Sequence, residues 1–264
     1  MIKLSIVTVL YKQTEQELRN WLDHLLSLFY YLKLYDIEII LVDNNAEHNC
    51  YNLDDYDDYK ILSVGLTKNS GYCGGNNFGI NLSLGDYILI LNPDVYIKNS
   101  LVIDWLYSAL QFNFGISGMY RDGINWLTYP AMFPTISKFE DEKLPFFYNQ
   151  NPLLSNLKSL NWKSLPFIDG CIMMFPKSIF SKVSFDDNIF PGYFGENTFQ
   201  FKCQLEFTDF KLINVPIEKY IIHNSQSDAI YSLESKKEWT QKAREYFYKT
   251  YALPNYDFFL SKLV

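Results

Sequence analysis

The chain is 264 residues long, 48% apolar and 18% aromatic, with a formal charge of −7. That length fits one large domain, or one domain with a modest appendage, and the apolar share is enough for a sizeable core. The negative charge argues against a nucleic-acid binder, whose footprint is normally basic; it leaves room for a nucleotide ligand, because a metal ion can mediate between acidic side chains and phosphates.

Tyr and Phe, at 21 each, can supply core bulk or sugar-stacking platforms, and composition does not choose between them. The four cysteines (Cys50, Cys73, Cys171, Cys203) form no CxxC pair and no metal-ligand spacing. With no signal peptide at Met1-Ile2-Lys3, they read as ordinary thiols in a reducing cytoplasm. The longest apolar stretch, near residues 25–42, is broken by Lys33, Asp36 and Glu38, so no membrane-spanning helix is expected.

Residues 4–10 (LSIVTVL) form an apolar, β-branched run of strand length. A helix is expected from Thr14, where Glu17 completes a capping-box pattern. Its apolar residues Leu18, Trp21, Leu22, Leu25, Leu26, Phe29 and Leu32 follow the spacing of a core-facing stripe. A second strand follows at 37–42 (IEIILV), then an acidic DDYDD loop at 54–58, the short strand KILSV, and a third buried strand at 87–91 (YILIL). Apolar strands separated by helices imply parallel strands covered on both faces, an α/β fold. Residues 121–165 lose this periodicity and read as an excursion over the site. The tail at 232–251 reads as a helix in which Lys236, Lys237, Lys242, Arg244 and Lys249 interleave with Trp239, Tyr246, Phe247 and Tyr248. It could rest on an anionic membrane surface, or pack its aromatic face on the domain.

In an open parallel sheet, ligands bind at the carboxyl ends of the strands. The first strand runs into Thr8 and Tyr11 without the G-x-G-x-x-G of a dinucleotide site, which argues against an oxidoreductase. The second ends in Asp43-Asn44-Asn45, where a carboxylate can accept the imide N–H of a uracil or thymine and Tyr11 can stack on the ring. A turn or helix cap is the competing role for Asp43. In NSGYCGGNNFGI at 69–80, Gly71, Gly74 and Gly75 permit close backbone approach, and Asn76 and Asn77 add amides where a helix is expected to begin. Exposed N–H groups at a helix start favour an anion such as a diphosphate. Asn92-Pro93-Asp94 in isolation is a turn, but here it ends a central strand directly after that loop, which favours a ligand role.

The succession SIVTVLYK, VDNN, NSGYCGGNNFGI and GDYILILNPDV closely resembles family 2 glycosyltransferases of the GT-A fold, nearest the bacterial rhamnosyltransferase-like branch that builds surface polysaccharides. The resemblance is dense over about residues 4–110 and resumes at 166–227. It implies a Rossmann-like, mostly parallel central sheet flanked by helices. A GT-A domain would occupy 1–230, with a nucleotide-sugar half at 1–110 and an acceptor half at 111–230, followed by a helical tail at 231–264. It also implies roles: Thr8, Tyr11, Asp43 and Asn44 on the base and ribose, and Asn69, Gly71 and Asn76 along the ribose and diphosphate. Asp94 takes the place of the last acid of the family's Asp-x-Asp metal motif, with Asn92 in its first slot. A hard cation, Mg²⁺ or Mn²⁺, suits one carboxylate plus phosphate oxygens and waters.

On the acceptor side, FIDGCIMMFP at 167–176 and SFDDNIFPGYFGEN at 184–197 resemble the family's acceptor-pocket strand and its acidic segment. Here the pair reads Glu196-Asn197 where the family typically has Glu-Asp, and Phe199-Gln200 replaces a following Asp-Leu. Glu196 is therefore the leading general base, with Asp169 in reserve. IIHNSQS at 221–227 resembles the family's late His motif, making His223 a further metal or phosphate ligand or a structural residue. The implied reaction is inverting transfer, best fitted by L-rhamnose from dTDP-rhamnose, to a hydroxyl of a glycan or lipid-linked glycan at the cytoplasmic face of the membrane. The competing readings are a UDP-hexose donor and a catalytically weakened relative that only binds nucleotide sugar. A nucleotidyltransferase would need a Gly-rich loop after the first strand, which Thr8-Val9-Leu10-Tyr11-Lys12 does not resemble.

Overall fold

Strand β1 (Ile2–Leu10) lies inside the sheet, and residues 4–8 are buried on both faces because helices cover both. The computed structural model describes residues 1–45, 51–121, 136–138, 148–150, 167–189, 194–224 and 232–252. Helix α1 (Glu15–Phe29) starts on the expected capping box: the Thr14 hydroxyl accepts from the Glu17 N–H at 3.2 Å, and the Glu17 carboxylate accepts from the Thr14 N–H at 2.8 Å. Its buried stripe of Leu18, Trp21, Leu22, Leu25 and Leu26 is the one the spacing predicts, while Phe29 is only half-buried. Strand β2 (Tyr35–Asp43) then runs parallel to β1 and places Asp43 at its last position.

After β3 (Ile61–Gly65), helix α2 (Gly71–Leu82) leads into β4 (Tyr87–Leu91) and the short β5 (Val95–Ile97), followed by α3 (Leu101–Gln111). The helix begins at Gly71, earlier than expected, so Gly74–Asn77 lie within its first turns and not in a loop ahead of it. A Cβ on Gly75 would stand 2.7 Å from Val9 Cγ1, and one on Gly79 2.5 Å from Val7 Cγ1. The glycines seat α2 against β1, so the backbone approach that Gly75 permits is helix to strand. Strands β6 (Gly115–Arg121), β7 (Ile136–Lys138), β8 (Tyr148–Gln150), β9 (Phe167–Pro176) and β10 (Lys211–Asn214) complete a sheet ordered β3-β2-β1-β4-β9-β6-β10-β7-β8. Apart from β7 and β8, the expected excursion at 121–165 falls outside the described residues.

Strands β3, β2, β1 and β4 are mutually parallel, whereas β9 is antiparallel to both β4 and β6. That reversal brings the beginning of β9 to the edge where β1, β2 and β4 end. One core layer packs α1 and α3 on the sheet; the other packs α2, α4 (Gly195–Glu206) and α5 (Leu233–Phe247) on the opposite face. Of the two expectations for the tail, packing on the domain is what the aromatic face does. Phe247 is buried edge-on to Phe194 at 5.3 Å and Phe201 at 4.9 Å. Among the described residues no helix is long and apolar enough to cross a membrane.

Candidate active site

The loop leaving β1 is strained: Lys12 has φ 61°, a left-handed conformation that costs a non-glycine residue energy and is held only by its surroundings. The Gln13 side chain accepts from the Tyr11 N–H, and the Gln13 carbonyl accepts from the Tyr51 hydroxyl at 2.9 Å. Tyr11 is half-buried, with the Lys12 ammonium 5.3 Å from its ring centre. Asp43 is fully buried beside this loop, and its Oδ1 accepts the Asn45 N–H at 2.9 Å, so the turn role read from sequence is present as well. Burial, followed by the carboxylates of Asp43 and Glu17, pushes the Tyr51 hydroxyl up to about 12.

The approach to α2 is fixed by side-chain amides. Asn44, 2% exposed, accepts from the Ser70 N–H at 2.8 Å and donates to the Gly71 carbonyl at 3.0 Å. Asn69 accepts from the Gly71 N–H at 2.9 Å, and Gly71 itself has φ 67°, a conformation glycine adopts without steric cost. The Thr8 hydroxyl donates to the Leu91 carbonyl at 2.8 Å, and the Asn76 amide donates to the Tyr72 carbonyl at 2.9 Å. Thr8, Asn44, Asn69 and Asn76 thus direct side-chain bonds onto the protein's own backbone and shape the walls of the site.

At the end of β4 the turn and ligand readings coexist. The Asn92 carbonyl accepts from the Val95 N–H at 3.1 Å, and the Asn92 N–H donates to the Cys171 carbonyl on β9 at 2.9 Å. This tight turn hands the chain to β5, which is pinned on α1: the Trp21 indole donates to the Val95 carbonyl at 3.0 Å, and His24 Nε2 lies 2.8 Å from the Ile97 carbonyl oxygen. Strand β11 (Ile221–His223) pairs antiparallel with β5 and sets His223 opposite Val95. The Asn224 N–H donates to the Asp94 carbonyl at 2.9 Å, and His223 Nε2 stands 3.5 Å from Asp94 Oδ1. Both side chains are mostly enclosed, at 18% and 11% exposure. A carboxylate and an imidazole side by side fit one hard or borderline divalent cation. Among the described residues no group of three or more His, Cys, Asp or Glu side chains is assembled.

The segments for which the family resemblance implies an acceptor role adjoin this edge. Asp169, 8% exposed, accepts the Cys171 N–H at 2.9 Å. Helix α4 begins after Phe194, held at φ 73°, with Glu196 half-buried in its first turn and Asn197 only 2% exposed. Of the Glu-Asn pair, Glu196 is therefore the more accessible. Gln200, which stands where the family resemblance implies a leucine, clamps Ile168 of β9: its amide accepts from the Ile168 N–H at 3.0 Å and donates to the Ile168 carbonyl at 2.7 Å. Phe199 stacks on Phe185 at 4.2 Å.

A sequence model described as glycosyl transferase family 2 matches residues 5–184, well over half of the chain. The chain belongs to glycosyl transferase family 2. A relative named low-salt glycan biosynthesis hexosyltransferase Agl10, from Haloferax volcanii, is 28% identical over 213 residues. The match covers 77% of this chain but 62% of that relative, so the chain spans less than two thirds of the relative's length. The solved structure of TarS residues 1–349 from S. aureus superposes with a TM-score of 0.50 at 14% identity, covering 96% of this chain and 74% of that one. The same TarS fragment in complex with UDP-GlcNAc gives 0.50 at 14%, covering 92% and 65%. At these identities the likeness establishes the fold alone, and that fold is GT-A.

The matched segment of this family 2 chain carries Asp43, Gly71, Asp94 and Asp169, whereas Glu196, His223 and α5 lie beyond it. Sequence reasoning passed over Gln13, Tyr51, Tyr72 and Asp186. Gln13 directly follows SIVTVLYK and Tyr72 lies inside NSGYCGGNNFGI, whereas Tyr51 falls in no motif, and the Gln13–Tyr51 and Tyr72–Gly170 bonds join residues far apart in the chain. Asp186 falls in the acidic segment at 184–197, and its carboxylate accepts from the hydroxyls of Tyr246 and Tyr251, which lie on and just after α5.

Proposed function

We propose that this family 2 protein is an inverting glycosyltransferase that moves a sugar from a nucleoside-diphosphate donor to a hydroxyl of a growing surface glycan. The observation that carries the reading is a convergence at one sheet edge. Asp43 ends β2, the glycine turn opens α2, Asp94 and His223 meet after β4, and β9 begins there with Asp169. In this reading Asp43 and Tyr11 bind the base, and the backbone around Gly71 receives the diphosphate at the start of α2. Asp94 and His223 would hold a divalent cation, which when bound offsets charge on the departing diphosphate.

The acceptor oxygen attacks the anomeric carbon from the face opposite the leaving group. The new C–O bond forms as the bond to the diphosphate oxygen breaks, and the electron pair leaves with the nucleoside diphosphate. Glu196 takes the hydroxyl proton; the enclosed Asn197 next to it offers an amide, which cannot serve as that base. The Haloferax relative is named a hexosyltransferase of glycan biosynthesis and TarS was solved with UDP-GlcNAc, which supports hexosyl transfer from a UDP-type donor. dTDP-L-rhamnose remains the donor implied by the Asn-Pro-Asp pattern. The exposed Lys237, Lys242 and Lys249 of the C-terminal segment would suit an acceptor displayed at an anionic lipid surface.

The test is donor turnover by purified protein with UDP-, dTDP- and GDP-sugars and Mn²⁺, followed by Glu196→Gln. Turnover of at least one donor is expected, with kcat reduced by about two orders of magnitude or more in the variant. Wild-type turnover by Glu196→Gln would remove Glu196 from the mechanism, and absence of turnover with every donor would overturn the transferase reading.

A further inference from the structure

Resting on the transfer reaction proposed above, we infer that Tyr72 is a positioning residue that ties the donor-side helix to the acceptor-side carboxylates. Tyr72 is the second residue of α2, directly after the glycine whose left-handed backbone and bonds to Asn44 and Asn69 set the helix direction. Its hydroxyl crosses to β9 and donates to the Gly170 carbonyl at 2.7 Å, a contact between residues 98 apart in sequence. Gly170 is flanked by Asp169, the reserve base, and Cys171, whose carbonyl accepts from the Asn92 N–H. A Cβ on Gly170 would fall 2.8 Å from the Tyr72 hydroxyl oxygen and 3.0 and 3.2 Å from Glu196 Cβ and Cγ. The Tyr72 hydroxyl and the Glu196 side chain therefore close on the same glycine from two different helices.

The ring is held independently of the hydroxyl. It packs edge-on to Phe185 at 5.7 Å and 89°, and Phe185 stacks on Phe199 of α4. The hydroxyl stays a donor: burial, then the charge of Glu196, the Cys73 thiol, Asp169 and the Cys171 thiol, hold it well above its ordinary value. A phenylalanine would keep the packing and lose only the tie to Gly170. The expected consequence is a loosened start of β9 and a misplaced Glu196, with donor binding left intact because Gly71 and its asparagine partners are untouched.

Two measurements on full-length Tyr72→Phe decide this. In steady-state transfer with whichever donor the wild type uses, kcat is expected to fall about tenfold or more while the donor KM stays within about twofold, and the acid limb of the kcat–pH profile is expected to move. In hydrogen–deuterium exchange of the protein without substrates, peptides spanning 169–171 and 195–197 should exchange about tenfold faster, with those of β1 and β2 unchanged. Gly170→Ala, which forces the hydroxyl and Glu196 apart, should reproduce both effects. Unchanged exchange at 169–171 and 195–197 would overturn the inference whether or not transfer is observed. So would a wild-type kcat and pH profile, or a kcat loss matched by a general loss of protection. If no donor is turned over by the wild type, the reaction reading fails by itself, and the exchange measurement still decides the coupling.

Discussion

Asp186 offers a test of how the C-terminal helix is joined to the segment ahead of α4. The carboxylate is 6% exposed and accepts four hydrogen bonds. Oδ1 receives the Asn188 N–H and side-chain amide, each at 2.9 Å, while Oδ2 receives the Tyr246 hydroxyl at 3.0 Å and the Tyr251 hydroxyl. Burial by itself raises the carboxyl pKa, but the bonds from Tyr251, Asn188 and Tyr246 together outweigh it and bring the group below its ordinary 3.8. Asp186→Asn keeps the shape and one acceptor oxygen, removes the charge, and turns an NH₂ toward one pair of donors. Hydrogen bonds to a charged group contribute about 1.5–3 kcal/mol each, and the tyrosine oxygens can accept from the new amide, so a net loss of about 2–3 kcal/mol is expected. For a domain of this size that corresponds to a Tm lower by roughly 4–12 °C.

The pH dependence has a definite sign. Because the folded-state pKa is depressed, the unfolded chain binds the proton more readily, and the contribution is complete above the unfolded value near 3.8 and lost as pH falls through the folded value. Thermal melts of wild type and Asp186→Asn, followed by near-ultraviolet circular dichroism from about pH 7 to pH 3, should therefore show a gap that narrows only at the acid end. Equal Tm values at neutral pH, or a gap that widens on acidification, would refute the reasoning.

Asn44→Ala removes the side-chain partner of the Ser70 N–H and that of the Gly71 carbonyl; a loss of about 1–3 kcal/mol in urea melts is expected, together with weaker donor binding by calorimetry. Unchanged donor affinity would exclude the asparagine from the proposed diphosphate site. Gly79→Ala improves helix propensity, yet its Cβ would meet Val7 Cγ1 at 2.5 Å and Val42 Cγ2 at 3.0 Å, so urea denaturation should register a destabilisation of about 1–2 kcal/mol, and a gain would contradict the packing argument. Asp94→Ala and His223→Ala should each weaken the Mn²⁺-dependent part of donor binding; isothermal titrations with and without chelator that match the wild type would exclude the pair as cation ligands.

Much of the N-terminal half is legible in the sequence because the signals are local. The Thr14 and Glu17 capping box, the stripe from Leu18 to Leu26, and the strands ending at Asp43 and Leu91 each depend on residues a few positions apart, where periodicity and backbone hydrogen bonding act directly. The start of α2 was misplaced for a physical reason. Glycine is a poor helix former, so GYCGGNN reads as a loop, and only the close packing on Val7 and Val9 shows why glycines belong inside that helix.

The motifs Asn92-Pro93-Asp94 and IIH were both visible in the sequence, and their pairing was not. Which strand lies beside which, and in what direction, is decided by long-range hydrogen bonds and shared core that no local pattern encodes. The antiparallel pairing of β5 with β11 carries His223 to Asp94, and the reversal of β9 turns Gly170 toward Tyr72. The sequence by itself marked candidate residues for a nucleotide, a cation and an acceptor proton; tertiary structure decided which of them meet, because meeting requires strands far apart in the chain to lie side by side.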